Sequence, residues 1–134
     1  MTRKASPERV AAIRSRVQAV FSELRKMGFI CKSNFSCCMT CATAELVEIG
    51  EKRRRNRACY WHHQDEEHFR DTGLLFLRYC YLPRNGIEVD TDTTPLEKQI
   101  GEQVAAAMKK QGLEIEWDGD PGKTIIVTGI TPKD

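Results

Sequence analysis

Apolar side chains recur at Val10, Ile13, Val17, Val20, Phe21 and Leu24, with Arg9, Arg14, Arg16 and Lys26 on the opposite side, so the first patterned stretch reads as an amphipathic helix. Ser6 supplies a cap, Pro7 suits the first helical position, Glu8 faces the positive end of the dipole, and Gly28 offers a left-handed stop. After Phe29 and Ile30, Lys32-Ser33-Asn34 reads as a polar connector. Met39, Ala42, Leu46 and Ile49 make a second helical stripe, capped by Ser36 and ending at Gly50, which puts Cys37, Cys38 and Cys41 in a helix's opening turns.

Ala58 through His63 has the aromatic character of a strand, on which His63 would share a face with Trp61 and Cys59 while His62 takes the other. Asp65 caps a short helical connection stopped at Gly73, and Leu74 through Leu82 reads as a largely buried strand that Pro83 breaks. Beyond the acidic segment Glu88-Val89-Asp90-Thr91-Asp92, the capping box of Thr94, Pro95 and Glu97 opens a long helix with a buried stripe of Leu96, Ile100, Val104, Ala107 and Met108. Leu113, Ile115 and Trp117 alternate with acidic residues, a turn follows over 118–122, and Thr124 through Thr128 returns as a second strand. The pattern predicts an α+β fold: a mostly antiparallel four-stranded sheet with N-terminal helices and one long helix packed on it, forming a single domain over residues 1–134.

Composition agrees with that picture, since 134 residues with 40% hydrophobic and 30% charged content suit one core. No apolar run approaches the roughly 18 residues of a membrane span, and no apolar segment follows the basic start Met1-Thr2-Arg3-Lys4, so a cytoplasmic protein is expected. Its six cysteines are then expected as thiols. A formal charge of +2 does not select a partner; the basic loop over 52–57, with the arginines of the first helix, provides the handle for a nucleic-acid-associated module, a reading weakened by the lack of interleaved aromatics. Glu88, Asp90 and Asp92 lack the glycine and closing glutamate of a calcium loop.

Cys37, Cys38 and Cys41 are the distinctive chemistry. Cys38 and Cys41 have C-x-x-C spacing, Cys37 lies one helical turn from Cys41 and Cys31 six residues before Cys37, so three or four thiols can converge, and a zinc site on Cys37, Cys38 and Cys41 would be completed by His62, His63, His68, Cys59 or Cys80, with His63 the candidate chosen. Placed at a helix N-terminus, Cys37 or Cys38 could instead be a nucleophile or half of a redox pair assisted by His63, making a thiol-dependent enzyme. A redox C-x-x-C motif should follow a strand in a βαβ unit, however, whereas helix and polar loop are read before this one. The bland alternative is cysteines packed as small apolar side chains, which fits Cys59 and Cys80 better than the cluster. No Walker loop, dinucleotide fingerprint, nucleophile elbow or H-E-x-x-H motif occurs, which favours a non-enzymatic binding domain with a protein partner and a structural or metal-binding cysteine cluster.

Asn34-Phe35-Ser36-Cys37-Cys38-Met39-Thr40-Cys41, Tyr60-Trp61-His62-His63-Gln64-Asp65 and Trp117-Asp118-Gly119 together resemble the pattern of a bacterial family of small uncharacterised proteins. The resemblance spans most of the chain beyond the first helix and carries no activity with it. It implies that Cys37, Cys38, Cys41, His63, Gln64 and Asp65 share one spatial neighbourhood.

Overall fold

The computed structural model describes residues 6–82 and 94–130. Helix α1 (Pro7–Lys26) starts where the Ser6 hydroxyl accepts the Arg9 amide at 3.1 Å, and all six residues of its apolar stripe are buried. Strand β1 (Phe29–Lys32) leads to helix α2 (Met39–Arg53), strand β2 (Arg57–Tyr60), helix α3 (His63–Thr72) and strand β3 (Leu75–Tyr81). Helix α4 (Thr94–Lys110) precedes the hairpin of β4 (Leu113–Glu116) and β5 (Ile125–Ile130). None of the described helices is long and apolar enough to cross a membrane. The segment Glu88 to Asp92 lies outside the described residues.

The five strands form one sheet in the order β1-β2-β3-β5-β4, with β1 and β2 parallel and the other pairs antiparallel. This corrects the expected four-stranded sheet. Phe29 and Ile30, to which the pattern assigned no element, begin a strand that takes in Lys32 from the expected connector, and at four residues β1 is too short to show a period of two. Its partner β2 also stops at Tyr60, so Trp61, His62 and His63 are not strand residues.

Helices α1 and α4, with Phe69 of α3, cover one sheet face and enclose the larger core around Phe21, Trp61, Leu75, Leu77, Val104 and Val127. Helix α2 supplies Ala42 and Leu46 to a smaller core with Ile30, Ala58, Tyr60 and Leu82. Gly50 does not end α2; it is a buried helical residue whose absent Cβ would lie 2.7 Å from the Arg55 carbonyl oxygen. Arg54, in the left-handed conformation, is the true C-cap. The basic run is thus split between the last turn of α2 and the start of β2. Met39 and Leu96, both assigned to buried stripes by spacing, are 53% and 40% exposed.

A buried carboxylate ties the two helical ends of this arrangement together. Glu66 is only 3% exposed and accepts two bonds from Arg14 (2.9 and 2.7 Å), one from the Trp61 indole (3.0 Å) and one from Arg70 (2.7 Å). Next to it, Asp65 takes a two-pronged contact from Arg78 at 2.8 and 3.1 Å. Asp65 is not the cap of α3 but its third residue: His62 is the cap, and the two close a reciprocal capping box in which His62 Nδ1 accepts the Asp65 amide. Burial lowers the His62 pKa and so favours the neutral ring that this acceptor role requires.

Hydrogen bonds from Arg14, and then from Trp61 and Arg70, hold the Glu66 pKa at about 2 against the opposing effect of burial. Because the folded-state value lies below the unfolded one, this contribution to stability is complete above about pH 4.5 and disappears as pH falls toward 2. Glu66→Gln is expected to lower unfolding free energy at pH 7 by about 2–3 kcal/mol, less than a fully buried broken pair because Arg14 reaches solvent. Urea titrations at several pH values should show the deficit shrinking between pH 4.5 and 2; a pH-independent difference would rule out the Glu66 charge as its source.

Candidate metal centre

The cysteines lie on the chain that leaves β1 and enters α2. Two backbone bonds pin this segment to the β2–α3 junction: the Phe35 amide donates to the Trp61 carbonyl (2.8 Å) and the His63 amide to the Ser36 carbonyl (3.0 Å). Between them the chain turns sharply, with Asn34 and Ser36 both at positive φ (50° and 68°). Non-glycine residues pay for that conformation, so the two cross-links and the packing of Phe35 on the smaller core hold it in place. Ser36 is accordingly a turn residue and not the cap of α2.

Cys38 is that cap, in extended conformation (φ −160°, ψ 174°), with Cys37 before it and Cys41 as the third helical residue. Their three sulfurs lie within 4.8 Å of one another, with Cys37 Sγ 3.7 Å from Cys38 Sγ. Cys37 and Cys41 are exposed and Cys38 is half-buried. The backbone amide of Cys41, followed by the Cys37 and Cys41 thiols, draws the Cys38 pKa downward, though no side-chain cap bond of full geometry forms. Cys41 moves the other way, to about 11, because the sulfurs of Cys37 and Cys38 disfavour a further thiolate beside them.

The other three cysteines behave as packing residues. Cys31 and Cys59 are buried, and Cys80 packs against the smaller core; burial raises the thiols of Cys31 and Cys80 to about 12 and that of Cys59 well above its ordinary value.

His63 opens α3 on the surface, with Nδ1 2.5 Å from the Asn34 side-chain oxygen. Its backbone belongs to the cysteine loop through Ser36, but its ring is not in the group formed by the three sulfurs. His68 stacks on Phe76, with ring centroids 4.6 Å apart. Among the described residues, no other histidine, cysteine or carboxylate joins the trio. Three sulfurs suit three corners of a zinc tetrahedron and leave the fourth position open.

Sequence reasoning found the trio but missed what builds it. The strand before the cysteines and the parallel strand after α2 form a βαβ unit, contrary to the helix and polar loop read there. The alternation of β2 offered no sign that Trp61 would turn its carbonyl to Phe35 and its indole to Glu66. Limited alkylation of the folded protein should label Cys37, Cys38 and Cys41 and spare Cys31 and Cys59 until denaturation, with Cys38 reacting at lower pH than Cys41. Equal labelling of Cys31 and Cys41 in the folded state, read by peptide mass, would contradict this surface.

No curated protein and no solved structure matches the chain. A family model described as a domain of unknown function (DUF6891) matches residues 7–132, nearly the whole sequence and all three cysteines, and the chain belongs to that family.

Proposed function

We propose that the protein is a binding domain that holds a zinc ion on the thiolates of Cys37, Cys38 and Cys41, with the fourth position taken by water or by a group from a partner macromolecule. The observation that carries this reading is the meeting of three sulfurs at the surface, within 4.8 Å of one another. Free cysteines are ordinarily among the most buried residues, as Cys31 and Cys59 are here, so packing does not account for the trio. Soft thiolates favour zinc or copper(I) over hard cations, and zinc accepts three protein ligands plus an exchangeable fourth. His63 would become that fourth ligand only by turning its ring toward the sulfurs.

The βαβ setting favours a second reading, in which Cys38 and Cys41 act as a dithiol. Their spacing at the start of a helix that follows a strand is the context that a redox C-x-x-C motif requires. Here two thiols would form one disulfide, giving two protons and two electrons to a small-molecule disulfide that is reduced to two thiols. Cys37 has no part in that exchange, and its place beside the other sulfurs is why metal binding is the first reading.

Native mass spectrometry of protein purified under reducing conditions and supplied with zinc should find one ion per chain, and a chromophoric chelator should compete for it. Serine at position 37, 38 or 41 is expected to weaken binding at least about 100-fold, beyond what changes around the ligands usually cost. His63→Ala should change affinity little; a comparable loss would make His63 the fourth ligand. Failure of the wild-type protein to retain zinc, with affinity equal to that of the serine variants, would overturn the proposal.

A further inference from the structure

The outer edge of β1 carries a second concentration of chemistry on the side of the sheet's first strand away from β2. Arg25, Lys32, Arg53 and Arg55 line a concavity of about 250 Å³ together with Phe29, Ile30 and Cys31. No carboxylate is part of this lining, and among the described residues none of these four cations forms an ion pair. Two of the guanidinium groups are fixed by backbone contacts. Arg25 donates to the Cys31 carbonyl at 2.9 Å and lies over the Phe21 ring, while Arg55 donates to the carbonyls of Arg25 (3.2 Å) and Phe29 (3.5 Å).

Those contacts leave most of the donors of each guanidinium uncommitted, since arginine has five N–H groups. Lys32, at the end of β1, also lines the concavity, with its ammonium 5.8 Å from the centre of the Phe35 ring. Arg53 comes from the last turn of α2. Four cationic residues and no carboxylate line this concavity, which gives its lining one sign, and arginine forks match phosphoryl oxygens.

We infer that this edge pocket binds a small phosphate-bearing anion. Its size and shape favour a compact ligand with one or two phosphoryl groups over nucleic acid, which would call for a basic track with stacking platforms. The competing account is that the arginines only occupy the carbonyls of an exposed edge strand and so prevent strand addition.

Calorimetric titration with inorganic pyrophosphate, and separately with a single-stranded oligonucleotide, tests the inference. Lys32→Glu and Arg53→Glu are the informative variants, because Arg25 and Arg55 also brace backbone and their loss could unfold the strand edge. Pyrophosphate should bind the wild-type protein saturably, and each variant should weaken it at least about tenfold with an unchanged melting temperature, while Lys109→Glu on α4 has no effect. The cysteine-to-serine variants should bind pyrophosphate as the wild type does, which separates this pocket from a metal-held anion. Absence of saturable pyrophosphate binding, insensitivity to both charge reversals, or tighter pocket-dependent binding of the oligonucleotide would overturn it.

Discussion

Glu66 keeps its negative charge inside the protein because donors from α1, α3 and Trp61, the residue after β2, meet it there. A carboxylate so nearly buried would be costly unpaired, and the bonds of Arg14, Trp61 and Arg70 satisfy both of its oxygens. The constraint extends outward through Trp61. With its indole held by Glu66 and its ring packed near Phe21, Trp61 has little freedom, so its carbonyl becomes a fixed acceptor for Phe35. The turn that presents the cysteines therefore rests on a polar contact made on the other side of the chain.

A second carboxylate works in parallel. Asp65 completes the capping box of α3 and anchors Arg78 of β3, which also approaches the Met39 sulfur at 3.5 Å. The start of α3 is thereby fixed relative to the sheet and to the first residue of α2. His63 follows immediately, and its amide holds Ser36. The three sulfurs gather on a backbone that is already bent and cross-linked, the kind of prior organisation that a small site needs around its ligands.

The amphipathic stripe of α1 and the long helix α4 were legible in the chain because each repeats a period over many residues, and the C-terminal hairpin because its short strands alternate apolar and polar positions on either side of a turn. Strand β1 was not, since four residues with three buried in succession show no alternation. The same brevity hid the βαβ unit and made the basic run look like a free loop, although Arg55 and Arg57 donate to backbone carbonyls around the α1–β1 turn. Spacing revealed that the three cysteines could converge; it could not reveal that Ser36 turns with positive φ or that Asn34 engages the ring of His63. Glu66 escaped notice because a glutamate in a short charged helix ordinarily faces water, and only tertiary structure brings Arg14 to it from 52 residues away.

What unites these features is a group of three sulfurs at the entry to α2 whose placement is set by the carboxylates and aromatic residue beneath it. The most direct measurement of the central claim is X-ray absorption at the zinc edge of the metal-loaded protein. The account predicts a shell of three sulfurs at about 2.3 Å with one lighter atom. A shell made only of nitrogen and oxygen, or a spectrum unchanged when Cys37, Cys38 and Cys41 are all serine, would contradict it.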